Sequence, residues 1–138
     1  MAKKDIDRIN VALGKSIEQA VKKLTARCFQ ALVSATPVDT GFARAGWSPS
    51  TGNPAPGPSN LPSPRSAAET LAQSLLAQHG QAAQAIESGY KLPQGVVFIV
   101  NPVHYVQYLN AGTSAQAPAL FVENAITTAV KATQLEFS

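Results

Sequence analysis

The chain has 138 residues, enough for one domain and too few for two independent cores. Charged residues make up 14% of it and hydrophobic residues 45%, a balance that excludes a disordered chain and favours contact surfaces over free solubility. The net charge of +3 is concentrated near the N-terminus, where Lys3, Lys4, Arg8, Lys15, Lys22, Lys23 and Arg27 stand against Asp5, Asp7 and Glu18; the remainder is slightly acidic.

From Asp5 to about Ser34 the apolar residues Ile6, Ile9, Leu13, Ile17, Val21, Leu24, Cys28 and Leu32 recur every three or four positions, which predicts an amphipathic helix. At 1.5 Å per residue it runs about 45 Å, longer than a domain of this size needs for its own core. Part of it is therefore expected to face a neighbouring subunit. Cys28 falls on the apolar face and is expected in the core; as the single cysteine it excludes an intramolecular disulfide, and no second thiol or histidine cluster offers zinc ligands.

Pro37 drives the preceding residue out of helical geometry, and Asp39, Thr40 and Gly41 form a predicted turn. Phe42 to Ser48 reads as a strand with Ala43, Ala45 and Trp47 on its inward face and Phe42, Arg44 and Gly46 on the other. Arg44 then needs a partner, which Asp39 or a neighbouring subunit is expected to supply. Prolines at 49, 54, 56, 58, 62 and 64 exclude helix interior and central strand from 49 to 64 and predict an extended arm or loop.

Ser66, with Glu69 three residues on, has the spacing of a capping box opening a helix from Ala67 to about Ser88, and Gly80 is expected to bend or interrupt it. Val96 to Val100 reads as a short buried strand. His104 to Asn110 fits either a strand or one helical turn bringing Tyr105 and Tyr108 together. Gly112 and Thr113 mark a turn. Pro118 lies near the start of a final helix reaching about Ala132, with Leu120, Val122, Ile126 and Val130 as its apolar positions.

Catalysis has little material to draw on. His104 with Ser114 or Thr113 is the nearest pairing, without a nucleophile elbow or an orienting third group, and the glycines spell no phosphate loop. No catalytic, cofactor-binding or metal residue is expected. The basic first helix could meet nucleic acid, but no aromatic stacking platform or base-reading motif accompanies it, so its lysines are expected to be solvated or to contact other subunits. No apolar run approaches the roughly 18 residues of a membrane span, and MAKKDIDRI lacks the apolar stretch of a signal peptide, so the chain is expected to be made in the cytosol with no membrane partner.

Two segments, ATPVDTGFARAGW at 35 to 47 and NPVHYVQYLNAGTSAQAPALFVENAI at 101 to 126, together resemble the head-tail joining (tail-completion, minor tail component or neck) family of long-tailed double-stranded DNA phages. That family has a long first helix, a P-V-D-T-G turn, and later an N-x-x-x-Y-x-x-Y-[LV]-x-x-G-T-S segment before a terminal helix. The resemblance implies that Asp39, Thr40 and Gly41 shape the turn, that Arg44 and Trp47 follow it, and that Tyr105, Tyr108, Gly112 and Thr113 build the second motif. Phe42 stands where the family commonly has a polar or small residue, and Asn110 where an acidic one is frequent. The proline-rich stretch is longer than the usual connection.

The expected fold is therefore α+β. A small, mainly antiparallel sheet is packed by a long N-terminal and a C-terminal helix in a single domain spanning 1–138, with the proline-rich arm at 49–64 projecting away. What the resemblance implies is a non-enzymatic virion protein of the neck or upper tail, assembled in the host cytoplasm. It would form a homo-oligomeric ring, generally six-fold, between tail-tube or tail-terminator subunits and head-connector subunits, with phage DNA passing through the lumen. The alternative is a small basic DNA-contacting or regulatory protein.

Overall fold

A computed structural model describes residues 2–113 and 119–137. The fold is α+β: a two-stranded antiparallel sheet packed with long N- and C-terminal helices. Helix α1 spans Lys3–Ala35, as its apolar spacing predicts, and ends where Thr36 turns to extended backbone before Pro37. Helix α3 (Arg65–Gly89) and helix α5 (Phe121–Phe137) both lie along its C-terminal half.

After Phe121, the buried positions of α5 are small residues. Phe121, Ala125, Ala129 and Thr133 are the buried positions of α5, spaced four apart. The predicted stripe of Leu120, Val122, Ile126 and Val130 is thus out of phase: Leu120 precedes the helix and Leu120 and Ile126 are exposed, while Val122 packs only partly against the core. Alanines win because they let the helix axes come close, a choice that apolar spacing does not reveal. Arg27 closes the far end of the α1–α5 seam, donating to Thr133 Oγ1 at 3.2 Å and pairing with Glu136. Cys28 is half-buried at this level.

Phe42–Ala45 is not a strand but the single-turn helix α2, and the strand β1 begins later, at Ser48–Thr51. It pairs antiparallel with β2 (Val97–Val100) in the register Ser48 with Val100 through Thr51 with Val97. Pro49 sits inside β1, opposite Ile99. A two-stranded ribbon leaves each strand an outer edge, so a residue without an N–H is accommodated there. β2 is half-buried along its whole length rather than fully buried.

Two further sequence expectations fail in α3. No side-chain cap forms, because the helix already starts at Arg65 after Pro64, which leaves Ser66 inside its first turn. Gly80 neither bends nor breaks it; the helix is continuous from 65 to 89, and the missing side chain costs about 1 kcal/mol of propensity at most.

After β2 the chain takes the helical option. Val106–Tyr108 forms the short helix α4, followed by a widened turn over Leu109–Thr113 that is kinked at Gly112, where φ is 99°. Ser114 and Pro118 lie outside the described residues.

The arm is less free than the sequence implies. Residues 49–51 belong to β1. Beyond Gly52 the segment is extended and mostly exposed, but Ser59 accepts a hydrogen bond from the His104 amide at 3.0 Å and Gly57 lies close against Pro102.

Candidate functional site

The residues that the sequence singles out collect around α2. Gly41, with φ of 87°, takes the left-handed conformation that reverses the chain ahead of α2, and Thr40 Oγ1 accepts from the Phe42 amide at 3.2 Å. All but Arg44 of the residues from Phe42 to Trp47 are buried, Phe42 completely. Phe42 and Trp47 share the main core with Leu32, Val103, Val106 and Ala125. An expected inward face of Ala43, Ala45 and Trp47 alone is corrected accordingly: a helical turn wedged between α1, α3 and α4 is covered on nearly every side.

Trp47 is anchored by more than apolar contact. Its indole N–H donates to Thr36 Oγ1 at 2.7 Å, and Thr36 donates onward to the Leu32 carbonyl at 2.6 Å. Within the chain Arg44 finds partners other than Asp39. Its guanidinium donates to the Thr36 carbonyl at 3.1 and 3.3 Å and to the Ser34 carbonyl at 3.4 Å, so it closes the C-terminus of α1, where unpaired carbonyls concentrate negative potential. Asp39 instead pairs with Arg65, which reaches its side chain and its carbonyl at 2.9 Å each and also bonds Glu69. The neighbouring carboxylates, Asp39 first, hold the Arg65 guanidinium still more firmly protonated.

The second segment docks onto the first. Asn101 donates from Nδ2 to the Ala43 carbonyl at 2.8 Å and accepts from the Val103 amide at 3.1 Å. Gly46 permits this approach, for a Cβ there would stand 2.4 Å from Asn101 Oδ1. Tyr105 completes the docking. Burial pushes its phenol pKa up, hydrogen bonding with the Thr40 side chain and the Ala43 backbone draws it partly back, and the Asp39 charge adds to the rise. From the third side, buried His79 of α3 meets the Ala45 carbonyl through Nδ1 at 2.7 Å. The Ala45 carbonyl at the end of this short helix is thus met by a side chain distant in sequence, and the Ala43 carbonyl, which already accepts from the Gly46 amide at 3.2 Å, gains a second donor in Asn101.

Tyr108 and Gly112 do not join this cluster. Tyr108, the last residue of α4, is 60% exposed, and Gly112 and Thr113 belong to the widened turn that leads toward α5. Asn110 is the organiser there. Its carbonyl accepts from the Leu120 amide at 2.7 Å and its Oδ1 from the Val122 amide at 2.9 Å, while Nδ2 donates to Glu123. Asn110 therefore caps the start of α5 through its side chain and holds Leu120, just ahead of the helix, through its main-chain carbonyl.

Thr36, Gly46, His79 and Asn101 are members of this cluster that sequence reasoning misses. Gly46 and Asn101 lie within the two quoted segments, where the small residue and the amide are the available clues; Thr36 and His79 carry no local pattern at all. His104 is exposed; of the two residues paired with it from sequence, Thr113 ends the widened turn and Ser114 lies outside the described residues. Among the described residues no cluster of histidine, cysteine and carboxylate side chains could hold a metal, and no helix is long and apolar enough to cross a membrane.

Compared with protein-family models, with curated proteins and with solved structures, the chain finds no match.

Proposed function

We propose that this chain is a structural subunit of the ring joining tail to head in a long-tailed phage, acting in tail completion or as tail terminator. The observation that carries the proposal is the docking of the two segments on which the family resemblance rests: Asn101 of the second donates to the Ala43 carbonyl of the first, at an approach that Gly46 leaves open. Two stretches more than fifty residues apart in the chain thus serve one architectural unit. That unit fixes the C-terminal end of α1, the turn after it and the approach to α5 relative to one another, as a subunit with fixed contact surfaces requires.

A second support is the surface left over. Ile6, Ile9, Leu13 and Ile17 are 45–56% exposed on the first turns of α1, an apolar stripe of the kind that marks protein contacts.

The test is native mass measurement of the purified chain, joined to identification of the virion proteins that copurify when it is expressed with its neighbouring phage genes. A closed multimer that captures tail-tube, terminator or connector subunits is the expected result. A protein that captures none of them, yet binds duplex DNA with steep salt dependence that disappears on neutralising Lys15, Lys22 and Lys23, would establish the DNA-contacting alternative instead.

A further inference from the structure

Helix α1 carries an apolar seat for another helix, and α5 fills only its C-terminal half. Ala125 packs in the core with Leu32, while Thr133 and Glu136 meet Arg27 earlier in α1, so α5 runs antiparallel to α1. Ahead of Arg27 the turn after α3 touches α1 at Gly14 and Glu18, and residues 2–13 are exposed throughout. The seat nevertheless continues. An eleven-residue step stays nearly in line on a straight helix, and by that step Ile6, Ile9 and Leu13 recur as Ile17, Ala20 and Leu24, then as Cys28, Ala31 and Ala35. Ala31 borders α5 beside Ala129, and both Ala31 and Ala35 pack against the core. The line that α5 covers thus runs on through Ile6, Ile9, Leu13 and Ile17, which are 45–56% exposed.

What fits the open half of the seat is a second antiparallel helix, and three observations favour α1 of another copy. The stripe is complementary to itself: laid antiparallel on its own sequence, Ile6 stands opposite Ile17 and Ile9 opposite Leu13, so each of the four meets an apolar partner. The charges permit this pairing. Lys4, Arg8, Lys15 and Lys22 occupy the side of α1 away from the stripe, so contact through the stripe turns both basic sides outward, and the antiparallel sense keeps the two positive N-terminal ends apart. The helix ends match as well. The partner helix would run in the same direction as α5 and bring its first turn, with Lys3 and Lys4, to the end of α5. The last turn of α5 contains Glu136 and no basic residue, and the first turn of α1 has no side-chain cap. Carbonyls of one helix end therefore meet amides and lysines of the other. Exposed Leu135 and Phe137 add apolar surface at that junction.

We propose that the N-terminal half of α1 pairs with the same segment of a second copy, antiparallel about a two-fold axis, so that each α1 extends along the other the seat that α5 occupies. The contact is isologous, with Ile6 against the partner's Ile17 and Ile9 against the partner's Leu13. It couples copies in twos. It is thus a different contact from the heterologous one that closes a ring, and it does not depend on the phage reading.

Two full-length variants test both the pairing and its direction. Ile6→Glu combined with Ile9→Glu puts carboxylates in one half of the stripe, and Leu13→Lys combined with Ile17→Lys puts ammonium groups in the other, at positions whose exposure leaves the fold intact. Circular dichroism and thermal midpoint establish that both are folded. In native mass measurements each variant alone is expected at half the mass of the unmodified assembly, because charge then faces apolar side chains across the contact. An equimolar mixture is expected to regain the full mass, since in the antiparallel sense every introduced carboxylate meets an introduced ammonium and the intact halves face each other. In a parallel pair every charge would oppose an apolar residue, and a stripe seated on any other surface would be lost in both variants. A mixture that stays at the lower mass therefore overturns the proposal. So does a variant that alone keeps the full mass, or an unmodified chain that is monomeric at about 100 µM, where even a weak dimer is populated. Capture of tail and connector proteins by the unmodified chain is scored separately, so failure of this contact is distinguishable from failure of the phage reading.

Discussion

The indole N–H of Trp47 and the hydroxyl of Thr36 are 2.7 Å apart, and Thr36 relays the bond to the Leu32 carbonyl, joining the start of β1 to the last turn of α1. Both partners are buried, Trp47 at 6% and Thr36 at 1% exposure, so the bond forms away from water and its loss leaves a desolvated donor. Trp47→Ala should cost about 3–5 kcal/mol, mostly as a cavity in the cluster with Phe42 and Val103. Thr36→Val keeps the volume but removes the acceptor, and should cost about 1–3 kcal/mol. Urea denaturation checks both; an unchanged midpoint for Trp47→Ala would show that the indole contributes no packing.

Arg44 replaces solvent at the C-terminus of α1 with hydrogen bonds to the carbonyls of Ser34 and Thr36. Arg44→Met retains most of the aliphatic stem and removes the fork, so the difference isolates the cap. A destabilisation of about 1 kcal/mol is expected, together with faster amide exchange in the last turn of α1, and added salt should shrink the difference between the two proteins. A salt-independent difference would point to packing of the stem instead.

How far the sequence can be read depends on how local each cause is. The long helices are legible because thirty residues of apolar spacing outweigh any single exception. α2 is not: in FARA a four-residue helix has no period of its own, and the alternation of Ala43, Ala45 and Trp47 imitates a strand. What makes it helical lies elsewhere, in the Asn101 amide on the Ala43 carbonyl and His79 on the Ala45 carbonyl. A proline such as Pro49 excludes a central strand in a wide sheet and not in a ribbon of two strands. At the site, the turn formed by Thr40 and Gly41 and the burial of Trp47 follow from residue chemistry. Thr36 and Asn101 matter through partners 11 and 58 residues away, and no spacing rule reaches that far.

Tyr105 links folding to alkaline pH. Its phenol is raised above the ordinary tyrosine value, chiefly by burial, so the folded state favours the protonated form. The associated stability is fully present below the unfolded-state pKa of about 10 and is lost as pH rises through the higher folded-state value. Thermal midpoints measured from pH 8 upward should fall more steeply for the unmodified chain than for Tyr105→Phe, which has no proton to lose. Parallel profiles for the two proteins would place the alkaline effect on other groups.

The proline-rich arm is expected to serve as a contact between subunits or rings. Past Gly52 its backbone is tied to the domain at Ser59, whose carbonyl accepts from the His104 amide, and Gly57 leans on Pro102. Pro102 and His104 also line an open groove between β2, α4 and α5, so the arm runs along one rim of that groove. Prolines at 54, 56, 58 and 62 hold this stretch extended and leave fewer amide donors to satisfy, so little conformational entropy is lost when a partner covers it. Replacing residues 53–62 by a short Gly-Ser linker removes mainly exposed side chains and should lower stability by no more than about 1 kcal/mol, since no member of the main core is deleted. Assembly should suffer far more, because the rim and its low-entropy backbone are gone together. Thermal melting is compared with native mass and with complementation of tail joining. A shortened chain that melts normally and still assembles and joins tails would reduce the arm to a connection. One that unfolds would make it a structural flap of its own domain.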